Sequence, residues 1–175
     1  MHNGSRAHFS PMTFGRKRKS VTSGQAADPA AARSAAIGLL ARRDFATGEL
    51  RGRLERKGFA AAAAASAVAE LVEERALNDD RYAANYVSYE VARGHGPLRI
   101  AAQLKSLELP GELIENALAG GPDWRALARE VHRRKFGPDP PTDWTQKARQ
   151  ARFLQYRGFS SDHIRSALGA DFDLD

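Results

Sequence analysis

From Asp28 onward the apolar positions recur at helical spacing, and no stretch alternates apolar with polar residues long enough for a strand. Asp28 followed by Pro29 reads as an N-cap and a first-turn proline, whose missing N–H a helix start does not need. The helix it opens is expected to run to about Arg43. Thr47 can cap a second, with Leu50 and Leu54 on one face and Gly58 as its stop. A third covers about Ala61 to Arg75, aligning Val68, Leu71 and Val72. Asn78-Asp79-Asp80 opens a fourth, striped by Tyr82, Ala83, Tyr86, Val87 and Val91. Gly94 lies just past its end, where a left-handed residue is wanted. The pattern predicts an all-α fold.

The helices repeat. Leu54, Leu104 and Leu154 are 50 residues apart, and so are Phe59, Leu109 and Phe159. Ala67, Ala117 and Ala167 keep the interval, as do Val68, Leu118 and Leu168; Ile114 and Ile164 match Ala64. Gly58 and Gly158 precede the aromatic residue, whereas the middle copy has Glu108 before Leu109. Arg42-Arg43-Asp44-Phe45 also resembles Arg133-Arg134-Lys135-Phe136. The unit is a three-helix module of roughly 45–50 residues, too small to bury a good core alone and supported by its neighbours. The expected layout is a disordered basic tail over 1–28 and modules over 29–77, 78–121 and 122–171, with an acidic end at 172–175. Tandem modules predict an elongated, curved molecule. Pro97 and Pro122 are placed at helix starts, and the proline-rich stretch 137–141 is a stiff loop.

Composition narrows the chemistry. The 175 residues include no cysteine, which excludes disulfides, a thiol nucleophile and thiolate metal sites. No two of the five histidines share an i, i+4 spacing, so no metal site is expected. The alanine-rich run from Ala60 to Ala69 is too short to span a membrane. No apolar stretch follows Arg16-Lys17-Arg18-Lys19, so the chain reads as cytoplasmic and not secreted. Charge is uneven: residues 1–60 hold 12 Lys+Arg against 4 Asp+Glu, while the whole chain carries a net +6. A basic end of this kind fits a polyanion or an acidic protein surface, and equally a solvated helix face.

Gly94-His95-Gly96-Pro97 lacks the strand and the lysine of a phosphate loop and reads as a helix stop, a turn and a new start. His95 has no evident carboxylate partner and is expected in an exposed turn. Of Asp79 and Asp80, one is expected to cap a helix and the other to face its dipole. Tyr82, Tyr86 and Tyr89 can stack on bases, although Tyr82 and Tyr86 sit on the apolar stripe and read as core. Nothing assembles a nucleophile, a base and an oxyanion site, so neither an enzyme nor a cofactor is expected. The functional candidates are basic: Arg42, Arg43, Arg51, Arg53, Arg56 and Lys57 in the first module, and Arg133, Arg134, Lys135, Arg149 and Arg152 in the third. Two such patches can follow phosphates or bridge acidic subunits of a polymer.

Leu77-Asn78-Asp79-Asp80-Arg81-Tyr82-Ala83, Tyr86, Gly94-x-Gly96-Pro97-x-Arg99-Ile100 and Leu104 together resemble the signature of the RecX family of recombination regulators. So does Leu40-x-x-Arg43-x-Phe45-x-x-x-Glu49-Leu50-x-x-x-Leu54-x-x-x-Gly58-Phe59. The similarity spans about residues 33–168. It implies a monomeric cytoplasmic bacterial protein that lies along the RecA recombinase filament, spans protomers and lowers ATP hydrolysis and strand exchange. Several family members also touch DNA. The signature residues Asp79, Asp80, Tyr82, Gly94, Gly96, Pro97, Ile100 and Leu104 read as architectural. A helical DNA-binding protein acting without RecA is the alternative. The turn at Glu108-Leu109 and the tail 1–28 depart from the family pattern.

Overall fold

A computed structural model describes residue 24 and residues 26–169. The acidic end, and the expected basic tail apart from residues 24 and 26–28, lie outside these. The described residues form nine helices: α1 Pro29–Leu40, α2 Thr47–Glu55, α3 Ala61–Glu73, α4 Asp79–Ala92, α5 Pro97–Ser106, α6 Gly111–Ala119, α7 Trp124–Phe136, α8 Trp144–Tyr156 and α9 Ser161–Leu168. None is long and apolar enough to cross a membrane.

The helices pack in threes. The third helix of each set lies against the first and second: α3 on α1 and α2, α6 on α4 and α5, α9 on α7 and α8. Three separate cores result. The first gathers Leu50, Leu54, Phe59, Ala64 and Leu71, the second Val87, Ile100, Leu104, Leu109 and Ile114, the third Val131, Leu154, Phe159, Ile164 and Leu168. The repeat leucines Leu54, Leu104 and Leu154 are fully buried. Burying each contributes about 1.5–3 kcal/mol.

The repeat has a local cause. Phe59, Leu109 and Phe159 each donate their N–H to the carbonyl of the leucine five residues earlier, at 3.2, 3.4 and 3.1 Å. The preceding residue has positive φ in every copy: 102° at Gly58, 64° at Glu108 and 89° at Gly158. This is the Schellman helix stop, in which the residue after the left-handed one packs back on the helix's last turn. The Leu-x4-Phe spacing is that contact written in sequence. In the middle copy Glu108 takes the left-handed conformation that glycine takes in the others.

Several local expectations shift. Helix α1 stops at Leu40 and α3 at Glu73, short of Arg43 and Arg75, and Arg75 turns left-handed at φ 57°. Thr47 is the first residue of α2, and Ala46 occupies the N-cap without a side-chain acceptor. Pro122 stands one place before the cap of α7. That cap is Asp123, whose carboxylate accepts from the N–H groups of Arg125 and Ala126. A carboxylate can reach those amides and a proline ring cannot.

The modules join at two seams built alike. At the first, Ala46 enters the second core, Gly48 lies against the Leu107-Glu108 turn, and Arg51 pairs with Glu108 at 2.8 Å. At the second, Gly96 N–H donates to Arg157 O at 2.8 Å and Leu98 N–H to Gly158 O at 3.0 Å. A Cβ on Gly96 would overlap the Gly158 carbonyl, and one on Gly158 would overlap Arg99. In both, the start of one module's second helix docks on the Schellman turn of the next.

Candidate functional site

The first basic group lies on α2, the loop before it and the turn that ends it. Arg43 is committed within the fold: it forks onto Glu49 at 2.5 and 3.1 Å and lies over the Phe45 ring, 3.7 Å from its centroid. The bond to Glu49 pushes its pKa above the ordinary value. Arg51 is held by Glu108. Arg42, Arg53, Arg56 and Lys57 are exposed. Four of the six side chains therefore present charge outward, with Arg53, Arg56 and Lys57 within one turn.

The second group closes α7. Arg133, Arg134 and Lys135 occupy its last turn, where cations favour the helix dipole. Arg149 on α8 reaches the same place, its guanidinium 5.8 Å from the Phe136 ring centre, and Phe136 meets Phe153 edge-on at 5.3 Å. Arg152 is exposed on α8. Beneath, His132 is buried and bonded to the Gln150 side chain at 2.6 Å.

The signature residues serve the fold. The cap of α4 is Asn78, not an aspartate, because the Asn78 amide oxygen reaches the Arg81 N–H at 2.7 Å. Asp79 turns the other way and accepts from Thr47 N–H at 2.8 Å, while Asp80 is exposed in the first turn. Tyr82 and Tyr86 stack at 5.9 Å on the second core, and burial pushes both phenols above their usual pKa. Gly94 has φ 73°, Pro97 opens α5, and Ile100 and Leu104 are fully buried.

His95 departs from expectation. It is 6% exposed, and its Nδ1 bonds to the carboxylate of Glu90, itself 2% exposed. Arg93 donates to the other Glu90 oxygen at 3.0 Å. The cause is the Gly94 turn, again a Schellman stop, with His95 N–H bonded to Glu90 O and Gly94 N–H to Val91 O. This geometry brings the residue after glycine onto the third residue from the helix end. The glycine was the available signal. The same seam gathers further side chains: Arg157, which the sequence did not single out, donates to Arg93 O at 2.7 Å, and Arg99 of the signature lies 5.7 Å from the Tyr156 ring.

An open groove of about 570 Å³ beside α4 is lined by Val87, Val91, Ala117 and other side chains, none ionisable. It offers no acid or base.

Fold and surface thus define a tandem-repeat helical protein that carries its basic side chains on exposed helix faces of separate modules. The models of the first, second and third three-helix domains of RecX match residues 32–71, 78–118 and 123–168. The chain belongs to the RecX family. It is 40% identical over 141 residues to the regulatory protein RecX of Halorhodospira halophila, covering 80% of this chain and 88% of that one. It is 42% identical over 134 residues to the regulatory protein RecX of Vibrio vulnificus, covering 76% and 88%. The crystal structure of RecX from Lactobacillus salivarius superposes with a TM-score of 0.70 at 19% identity, covering 80% of this chain and 94% of that chain. At that identity the likeness concerns the fold.

Proposed function

We propose that this chain is a regulatory protein that binds the RecA–DNA filament across neighbouring subunits and inhibits its recombinase and ATPase activities. Membership of the RecX family through all three modules carries this reading. The physical layout supports it. Separate cores in series can touch successive subunits of a polymer, and the exposed cations of α2 suit acidic protein surface or phosphate. Binding that favours one filament geometry shifts the filament's equilibrium by differential affinity and needs no chemistry of its own.

The test is a titration of RecA ATPase on single-stranded DNA. The parent chain lowers the rate. A variant carrying Arg53→Glu, Arg56→Glu and Lys57→Glu keeps its helicity and loses the inhibition. Full inhibition by that variant removes α2 from the contact, and no inhibition by the parent removes the reading.

A further inference from the structure

The seam between the second and third modules carries a surface of a different character from the basic helices. Of the six large apolar side chains that stand exposed among the described residues, three are here: Tyr89 at 60%, Leu98 at 58% and Tyr156 at 78%. Arginines interleave with the two tyrosines. The Arg93 guanidinium lies 5.3 Å from the Tyr89 ring centre, and that of Arg99 lies 5.7 Å from the Tyr156 ring centre. The Arg157 side chain, next to Tyr156, bonds to the Arg93 carbonyl and so ties the two pairs together. Arg134 closes the group: a Cβ on Gly94 would stand 3.0 Å from its Nη2 and 3.7 Å from Arg157 Nη1. Four guanidinium groups thus surround one turn. Glu90 is buried beneath it and already shared between Arg93 and His95. The Nε of Arg99 is buried without a hydrogen-bond partner.

The geometry points to a single-stranded nucleic-acid platform at this seam, with Tyr89 and Tyr156 stacking on bases and Arg93, Arg99, Arg134 and Arg157 taking the phosphates between them. Exposed aromatic rings interleaved with arginines are what an unpaired strand needs. Bases offer their faces only when unstacked, and the backbone between them is anionic. A duplex hides those faces and would use the arginines alone. The exposed part of α2 has cations without exposed aromatic rings, so this chemistry sets the seam apart from α2. The platform requires only the chain and a strand, and stands or falls independently of the filament reading.

The test uses the full chain and a fluorescein-labelled oligothymidylate of about 20 nucleotides, a length that covers one or two such sites. Anisotropy should report binding that weakens steeply with salt. Tyr89→Ala and Tyr156→Ala, both at exposed positions, should each raise Kd about tenfold, while Tyr156→Phe, which keeps the ring face, should stay within about twofold. The α2 triple-glutamate variant, altered outside the seam, should retain a much larger share of binding than either alanine variant. No binding by the parent, equal affinity for a duplex of the same length, or unchanged affinity in both alanine variants would each overturn the proposal.

Discussion

The Asp79 carboxylate accepts the backbone N–H of Thr47 at 2.8 Å, so the first residue of α4 caps α2, 32 positions earlier in the chain. Helix α2 lacks a cap of its own because Ala46 has no acceptor. The second module therefore completes a helix of the first. Asp79→Ala should cost about 1–2 kcal/mol in urea unfolding, and Asp79→Asn, which keeps an acceptor, clearly less. Equal losses in the two variants would refute the cap.

Glu108 holds the left-handed position that Gly58 and Gly158 hold elsewhere. A side chain there costs about 1 kcal/mol, more than the exposed Arg51 pair returns. Glu108→Gly should raise Tm by about 1–3 °C. Gly158→Ala, which drives a Cβ into Arg99, should lower it sharply. A Tm for Glu108→Gly below that of the parent would contradict the strain.

Glu90 is the acceptor for both His95 and Arg93 at the second seam. Glu90→Ala leaves His95 buried without its acceptor and should destabilise by about 1–3 kcal/mol. A loss below about 1 kcal/mol in chemical denaturation would mean that the carboxylate is dispensable there.

His163 lies in the capping box of α9, where its Nδ1 accepts the Ser160 N–H at 3.2 Å, and burial pushes its pKa below the ordinary value. As pH falls below about 6.5 the unfolded chain takes up the proton first, so this contribution to stability is present above that pH and declines below it. His163→Gln preserves the box without titrating and should flatten the fall in urea midpoint from about pH 7 to 5. An unchanged fall would place the titration elsewhere.

The helices and their repeat were legible because both are local. Leu54 and Phe59 meet through a turn of five residues, and the same turn recurs at Leu104 and Leu154. The basic groups were legible as charge but not as surface. Nothing in the spacing of Arg51 and Glu108, or of Asp79 and Thr47, announces that they touch. His95 lay between the two cases: its partner Glu90 is near in sequence, yet the Gly94 stop had to be followed through its hydrogen bonds before the burial became apparent.

Sequence by itself determined that the chain is helical, which helix faces are apolar and, at Gly58, Gly94 and Gly158, where a helix stops, since these follow from backbone preference and spacing within a few turns. Tertiary structure alone decided which charges pair and which gather. Arg43 and Arg51 are drawn into pairs, while Arg93, Arg99, Arg134 and Arg157 collect around one turn. The reason is that docking one module's helix start on the next module's Schellman turn joins residues 57 to 64 positions apart. Each half of such a contact looks like ordinary surface until both halves are in place.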